Sequence, residues 1–341
     1  MPLAYAQVRR EAAPGNESVT PSYATKVLYP PATSVTAVPN PSHLMRDDEI
    51  RNIDEPLAAL PEMYAPTWSL ESRLYPDTVG MLLSCMLGPP VTTTGNGVIT
   101  DPDTTAIPTG AFRHVWTAPF GPAGASPQTA DLRLAYRDQG VYFQVKGAAT
   151  DTMAITAPES GGARVSVSGP ALHMARIADP ALAPAFEALT VLPFMRRNLT
   201  LTWLSGSATT EDFSLSVANP VETVRSLGIA SAFPDIVEKA EGPVTFTGSI
   251  PKRQLDPDDY DALINATGFA ATARFVSTAI IASGYPFKLY FAFTNVQYVG
   301  GSPGALENRR RIGASFDWKA STTGAAGHAT ITLVNATASY A

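Results

Sequence analysis

Residues 68–88, WSLESRLYPDTVGMLLSCMLG, predict a strand that leads directly into a short amphipathic helix. Apolar and small side chains alternate with polar ones over residues 68–74, which is the period of a strand with one buried face. Pro76 suits the first helical position, because the N–H that proline lacks would have no partner there. Gly88 and the two prolines after it end the helix. The apolar residues between these signals recur at helical spacing and predict one buried face: Val79, Leu82, Leu83, Met86 and Leu87.

The same plan returns later in the chain, at residues 244–268, VTFTGSIPKRQLDPDDYDALINATG. Asp256 is a suitable N-cap, and Pro257 suits the first helical position. We expect the residues that correspond to the first apolar face to be buried on a second helix. They are Tyr260, Leu263, Ile264 and Thr267, in the positions of Val79, Leu82, Leu83 and Met86. Residues 142–171 and 290–320 also share an order of strand, loop and strand, so the pattern predicts an internal duplication.

The composition favours a β-rich chain that is short of charge. The protein has 341 residues, of which 45% are hydrophobic and only 16% charged, against about 25% in typical domains. Its 25 glycines and 30 prolines favour strands joined by many turns. The net charge of −6 disfavours a protein that grips nucleic acid, because such proteins need cations against the phosphates. An acidic surface can still border a channel through which nucleic acid slides.

Turn residues and breaks in periodicity divide the chain into an arm and two β modules. The arm is extended and Pro-rich, but it carries more apolar residues than a free tail, so an arm that docks on a neighbour stays open beside a disordered one. Asn219 and Pro220 predict the start of a short helix that Gly228 ends. The predicted boundaries are 1–60 for the arm, 61–174 for the first module, 175–198 for a connector and 199–341 for the second module.

One string in the chain matches a catalytic motif. Residues 300–304, GGSPG, fit the G-x-S-x-G nucleophile elbow and would make Ser302 the nucleophile of a serine hydrolase. Pro303 removes a backbone N–H that the oxyanion hole would need, and no helix is predicted after it. A hairpin loop is therefore the favoured interpretation, and the hydrolase is kept as a remote alternative. We predict no catalytic residue and expect a protein that is not an enzyme.

The chain shows no pattern typical of a cofactor or metal site. Its four histidines are far apart, and its one cysteine, Cys85, lies among apolar residues of the first helix. The aspartates of residues 256–261 lack the glycine and the closing glutamate of a calcium loop. No Gly-rich phosphate loop follows a strand, and no apolar run is long enough to cross a membrane. We therefore expect no cofactor, no metal and no membrane partner.

A long β-rich chain with low charge, Thr-rich loops and an internal duplication favours a structural protein that assembles with itself. The basic triplet at residues 309–311 is too short for a nucleic-acid site and suits pairing with acidic loops of a neighbour. The candidate inter-subunit contacts are this triplet, two tyrosines of the arm and an asparagine between two glycines: Arg309, Arg310, Arg311, Tyr23, Tyr29 and Asn96.

The chain resembles the tail tube, or major tail, proteins of long-tailed bacteriophages. The resemblance covers residues 45–341 and rests on the order of several segments. These are MRDDEIRN at 45–52, the unit at 68–88, the hairpins that end in YFQVKG at 142–147, the strands within 199–217, and ITLVNATASY at 331–340. The long N-terminal arm and the Thr-rich stretch at 91–108 depart from the pattern of the family.

The resemblance implies a mainly β (α+β) fold of two fused tail-tube-like β-sandwich or barrel modules, each flanked by a short helix. In that family, rings of six such modules stack into a tube, so three chains would form a pseudo-hexameric ring. Whether a ring contains three or six chains stays open. The implied partners are other copies of the chain, the tape measure, baseplate or initiator and terminator proteins, and phage DNA that passes without specific binding. Alternatives are a tail terminator, a baseplate hub, a capsid decoration protein or a carbohydrate-binding β-sandwich.

Overall fold

The computed structural model describes most of the chain, in segments separated by gaps. The described residues are 4–11, 32–44, 60–118, 128–136, 139–178, 191–204, 206–207, 210, 212–226, 232–252, 257–303, 314–321 and 328–340. The helices are α1 Pro76–Leu87 and α2 Pro257–Ile264, with a 3-10 turn at Arg196–Asn198. The strands are β1 Ala4–Arg10, β2 Ala32–Val38, β3 Pro41–Leu44, β4 Leu60–Tyr64, β5 Thr67–Arg73, β6 Val91–Thr94, β7 Phe112–Thr117, β8 Thr129–Tyr136, β9 Val141–Ala149, β10 Thr152–Ala157, β11 Arg164–Pro170, β12 His173–Ile177, β13 Leu199–Trp203, β14 Gly206–Ser207, β15 Phe213–Ala218, β16 Val221–Val224, β17 Ile236–Lys239, β18 Thr245–Lys252, β19 Phe269–Ala282, β20 Tyr285–Pro303, β21 Ala314–Ala320 and β22 Ala329–Asn335.

One large antiparallel sheet of 14 strands contains most of the described strands. Its main path runs β14-β13-β19-β20-β21-β18-β15-β10-β11-β5-β2, and a branch at β20 continues through β22 and β7 to β6. The long strand β20 serves both parts, because residues 288–293 pair with β22 and residues 296–303 pair with β21. A second sheet has the order β1-β8-β9-β12. The architecture confirms the predicted, mainly β fold class.

Strands from both predicted modules share the large sheet. β10, from residues 61–174, pairs with β15, from residues 199–341, so that Thr152 lies opposite Ala218 and Ala157 opposite Phe213. The C-terminal strand β22 likewise pairs with β7. β1 and β2, from the predicted arm, add strands to the two sheets. The module boundaries stay a prediction, and the sheet itself runs continuously between the two segments.

Helix α1 confirms the position and the ends predicted from residues 68–88, but the expected single buried face is wrong, because the helix lies inside the core. β5 precedes it and buries the expected alternating side chains on one face. Every residue of the helix except Asp77 is buried. A helix that is buried all round belongs inside a protein rather than on its surface. The main core cluster therefore combines side chains of α1 with side chains of both sheets.

Side chains from distant segments complete the hydrogen bonds at the C-terminal end of α1. The last carbonyls of a helix have no partner within the helix. Asn219 Nδ2 donates to the carbonyl of Met86 at 2.7 Å, and Trp116 Nε1 donates to the carbonyl of Gly88 at 2.9 Å. Gly88 has a φ of 91°, a conformation that glycine adopts without strain. β7 and the segment after β15 thus fix where the helix ends.

Helix α2 lies where the sequence predicted it, but it buries a different face. Tyr260 is 44% exposed, Ile264 is 65% exposed and Thr267 is exposed, so the expected burial is wrong for these three residues. Leu263 alone of the four is partly buried, and it packs against the main core. The fully buried Asp259 pairs with Lys252 Nζ and accepts a hydrogen bond from Tyr298 Oη at 2.7 Å. Separating a buried ion pair costs several kcal/mol, on the order of 3–5 kcal/mol. The ion pair therefore decides which side of the helix faces the sheet.

The short helix expected after Asn219 is wrong. The chain there forms strand β16, which pairs with β17. Three of the four residues of β16 are β-branched and favour a strand, and Val221 packs with Val237 in a small apolar cluster. The side chain of Asn219 donates to the carbonyl of Met86 and does not cap a helix of its own. Tertiary contacts thus prevail over the local cap signal.

The C-terminal segment after β22 packs across the first half of α1. A Cβ atom on Gly80 would lie only 2.2 Å from the Tyr340 ring, so this ring fills the space above the glycine. Tyr340 Oη donates to the carbonyl of Asp77 at 2.8 Å. The fully buried His114 meets the Tyr340 ring edge-on, and its Nε2 donates to the carbonyl of Thr337 at 2.9 Å. The segment after β22 therefore covers the first half of α1.

Replacing Gly80 by alanine should have opposite effects with and without the Tyr340 ring. In the wild-type chain the new methyl group clashes with this ring and should lower the free energy of unfolding by about 1–3 kcal/mol. In a Tyr340→Ala background the clash is absent, and alanine should favour the helix by up to about 1 kcal/mol over glycine. Urea unfolding of the wild-type chain, of Gly80→Ala, of Tyr340→Ala and of the double variant measures both differences. Equal effects in both backgrounds would contradict the packing of Tyr340 on α1.

Stability should fall as the pH is lowered through the histidine range. Burial lowers the pKa of His114, His173 and His328 from the usual value of 6.5. The unfolded chain then takes up protons that the folded chain does not, so acidification from about pH 7 to about pH 5 favours unfolding. The buried His114 should contribute up to about 1.4 kcal/mol per pH unit in that window.

Urea unfolding at both pH values measures this loss. His114→Gln serves as the matched variant, because glutamine keeps polar atoms at the site and cannot be protonated there. The variant should lose less stability on acidification than the wild-type chain. The same loss in both proteins would show that His114 does not contribute to the pH dependence.

Candidate assembly surfaces

One of the six predicted contact residues lies in the described part of the chain. Asn96 is exposed between β6 and β7, and its Oδ1 accepts hydrogen bonds from the N–H groups of Val98 at 2.9 Å and Ile99 at 3.0 Å. The amide oxygen therefore shapes its own turn, while Val98 beside it is 80% exposed. The other five lie outside the described residues: Tyr23, Tyr29, Arg309, Arg310 and Arg311.

The 95–111 segment, which joins β6 to β7, packs against β20 and β22. Ile107 and Ala111 are fully buried and form a cluster with Tyr285 and Val334 that is separate from the main core. Backbone hydrogen bonds run within the segment, from the Gly97 N–H to the carbonyl of Ile107 at 2.8 Å among others. The Thr-rich stretch is therefore a folded part of the molecule.

Asp101 fastens the 95–111 segment to β20. Its Oδ2 accepts hydrogen bonds from Lys288 Nζ and Tyr285 Oη, and its Oδ1 accepts from the N–H groups of Asp103 at 2.8 Å and Thr105 at 2.9 Å. Both Asp101 and Lys288 are 4% exposed. Burial alone would raise the pKa of Asp101, but the hydrogen bonds from Lys288, Tyr285 and the Thr105 N–H, together with the charge of Lys288, hold this pKa below its usual value.

A second carboxylate, Asp103, balances the remaining charge. It pairs with Arg274 at 2.6 Å, lies 3.2 Å from Lys288 Nζ and accepts a hydrogen bond from Tyr290. Burial and the neighbouring carboxylates raise the pKa values of Tyr285 and Tyr290, so both phenols stay protonated and donate. Two carboxylates and two cations cancel in charge. The cluster therefore holds the segment in place and presents no activated nucleophile.

Sequence reasoning missed this cluster because its members are far apart along the chain. Asp101 and Lys288 are separated by 187 positions. The available signal was the lysine in the apolar strand FKLYFAF, residues 287–293, because a cation in a buried strand needs a partner. The identity of that partner does not follow from the strand itself.

The described structure does not support Ser302 as a nucleophile. Residues 300–303 continue β20, and Ser302 lies opposite Ser315 of β21, so the predicted hairpin loop is wrong at these positions. A nucleophile elbow needs a sharp turn from a strand into a helix. Within the described residues, no group of three or more His, Cys, Asp or Glu could hold a metal ion. Neither described helix is long and apolar enough to cross a membrane.

Hydroxyl and methyl groups cover the outward face of the middle of the large sheet. The hydroxyls of Thr152 and Ser168 lie 2.7 Å apart across two strands, and those of Ser214 and Ser249 lie 2.9 Å apart. We call this surface the hydroxyl face, formed by Thr152, Ala154, Thr156, Ser166, Ser168, Ser214, Ser216, Ala218, Thr245, Thr247 and Ser249. Charged side chains border it on β5, β11 and β21: Glu71, Arg73, Arg164, Asp317 and Lys319.

The large sheet ends at three places where no further strand follows among the described residues. The terminal strands are β2 (ATSVTAV), β13 (LTLTW) with the short β14, and β6 (VTTT), and we call them the open edges. Unpaired N–H and C=O groups along an edge are a template for another strand. Soluble proteins usually protect such edges with charged residues or proline, and none of these strands contains either.

Replacing Asp101 by asparagine should destabilise the protein, because Lys288 would stay buried without its main counter-charge. The free energy of unfolding should fall by about 3 kcal/mol. The double variant Asp101→Asn with Lys288→Met removes the uncompensated charge and should recover part of that loss. Urea unfolding measures both values, and hydrogen exchange at residues 97–111 shows whether the segment opens. A double variant that is less stable than Asp101→Asn would contradict this role of the pair.

Comparison with known proteins agrees with the resemblance found in the sequence. A model of the family described as phage tail tube protein matches residues 4–320. The match includes both helices, and it extends from β1 to the end of β21. Members of this family are structural, non-enzymatic components of the phage tail. No curated protein matches the chain. Because the family model spans nearly the whole sequence, the chain belongs to the phage tail tube protein family.

Proposed function

We propose that copies of this chain join through the open edges of the large sheet to form rings, and that these rings stack into the tail tube. The observation that carries the proposal is the lack of charge and proline in the terminal strands. Membership of the family implies self-assembly. Pairing between two different edges of the same chain satisfies both edges and can close into a ring.

The hydroxyl face supports the proposed role as a conduit for DNA. Cations hold nucleic acid by neutralising phosphates, and none of the eleven residues of the hydroxyl face is charged. The cations Arg73, Arg164 and Lys319 lie at its border, where Arg164 pairs with Glu71 at 3.0 Å. Its hydroxyl groups are in part already paired with each other, as between Thr152 and Ser168. A wall of this kind would let DNA pass without holding it. The tape measure, the baseplate or initiator and the terminator are further proposed partners, within the tube and at its two ends.

The predicted contact residues stay proposals for the contacts between copies. The exposed turn at Asn96 supports a contact there, because the apolar side chain of Val98 is 80% exposed beside it. For Tyr23, Tyr29 and the arginines at 309–311 the support is their sequence context: apolar residues in the arm, and a basic group in an acidic chain.

We further propose three chains in each ring. The support is the strand–helix unit that occurs twice, as β5 with α1 and as β18 with α2, with both strands in the same large sheet. Native mass spectrometry of the assembled ring decides between three and six copies of the 36.0 kDa chain. Six copies would overturn the pseudo-hexameric arrangement and leave the proposed tube intact.

A lysine on an open edge should impair assembly, and a lysine on the hydroxyl face should not. Val38→Lys places a charge on the terminal strand β2, and Thr156→Lys places the same charge on the outward face of the inner strand β10. Val38→Lys should raise the protein concentration needed for rings or tubes about tenfold. Negative-stain microscopy and sedimentation of the pure proteins measure this. A persistent wild-type monomer under all conditions, or a larger effect of Thr156→Lys, would count against edge pairing.

A further inference from the structure

The strand β2 is attached to the large sheet by its backbone pairing with β5 and by two partly buried side chains, Val35 and Ala37, that pack against the main core. It pairs with β5 so that Thr36 lies opposite Ser69, and it continues into β3, which pairs with β4. Among its side chains at residues 34–38, Ser34, Thr36 and Val38 are exposed and the other two are only partly buried. By contrast, all four residues 6–9 of β1 are buried. The other strand from the N-terminal segment is thus held far more firmly than β2.

The neighbouring strand β5 is also held by its buried face and by its pairing with β11. Trp68, Leu70 and Ser72 of β5 are buried, at most 3% exposed. On its other side β5 pairs with β11 from Arg73 opposite Arg164 to Thr67 opposite Pro170. Removing β2 would break its pairing with β5 and the packing of Val35 and Ala37, and it would open an edge that belongs to a well-buried strand. Such an edge accepts any strand that presents the same backbone and the same register.

The hairpin formed by residues 32–44 and 60–73 has the geometry of a segment that two copies can exchange. Asn40 sets its register, because its Nδ2 donates to the carbonyl of Ala65 at 3.0 Å and to Thr67 Oγ1 at 2.9 Å. The same bonds form whether residues 32–44 come from the same chain or from a second copy. Exchange between identical chains therefore loses no contact. Within a ring, adjacent copies are held together at high effective concentration, so the intermolecular pairing competes with the intramolecular one.

We propose that residues 32–44 occupy the edge of β4 and β5 in the free chain, and that in the assembled ring the same segment of a neighbouring copy occupies it. This inference rests on the self-assembly proposed above. In the free chain β2 then covers the edge of the well-buried β5. In the ring each exchanged segment links one copy to the next.

Cysteine cross-linking between separate chains tests the exchange. One chain carries Thr36→Cys, the other carries Ser69→Cys, and the two are mixed before assembly and treated with a short thiol cross-linker. Opposite residues of paired strands are close enough for such a link. The native Cys85 does not interfere, because it is buried and burial raises its pKa to about 12.

The matched control uses Thr152→Cys on one chain and Ser168→Cys on the other. These residues are also a threonine and a serine on opposite strands, but β10 and β11 lie within the sheet. We expect mixed-chain dimers at least about tenfold more abundant for the 36/69 pair than for the 152/168 pair. A single chain with both Thr36→Cys and Ser69→Cys, cross-linked before assembly, should fail to form rings until a cleavable link is reduced.

The outcomes separate the exchange from the proposed function. Rings that form while the 36/69 mixture gives no more dimer than the control overturn the exchange and leave edge-mediated assembly standing. Normal assembly of the chain that is cross-linked internally between residues 36 and 69 would also overturn the exchange and leave edge-mediated assembly standing. If the wild-type chain forms neither rings nor tubes, the proposed function fails, and the exchange fails with it.

Discussion

The enclosure of helix α1 is the constraint on which the rest of the structure depends. A helix with a single residue outside the core must be surrounded by other segments, and its end carbonyls must find partners there. The large sheet, the small sheet and the C-terminal segment supply those surfaces. Asn219 and Trp116 supply the hydrogen bonds, and the ring of Tyr340 fills the space above Gly80. The strands that follow are positioned by this packing.

Charge serves mainly to fasten segments inside the molecule. Buried ion pairs join β1 to β8 through Arg9 and Asp131 at 2.8 Å, α2 to β18 through Asp259 and Lys252, and the 95–111 segment to β20 through Asp101. Such pairs add little net stability, but losing one partner is costly, so they select one arrangement over others. Only 16% of the residues are charged, and several of these charges lie in buried ion pairs. A broad part of the sheet surface therefore carries hydroxyl groups in place of charges.

The open edges and the hydroxyl face together suit a subunit that is completed by its neighbours. A soluble monomer would normally protect terminal strands with charge or proline. Here the terminal strands of the described sheet contain no charged residue and no proline, while the centre of the sheet presents small polar groups. A sheet whose terminal strands can pair with further strands, and whose centre is uncharged, favours the assembly of copies into a tube. Membership of the tail tube family agrees with this arrangement.

The sequence by itself determined the units whose signals are local. Period-2 alternation, a proline at the start and a glycine at the end predicted β5, α1 and the position of α2, and the order of such units pointed to the family. The tertiary structure alone decided which side of α2 is buried, because Asp259 pairs with Lys252 beneath it and leaves Ile264 exposed. It also made a strand of residues 221–224 and brought Asp101 to Lys288. Each of these results depends on contacts between residues that lie apart in the chain, which no local pattern encodes.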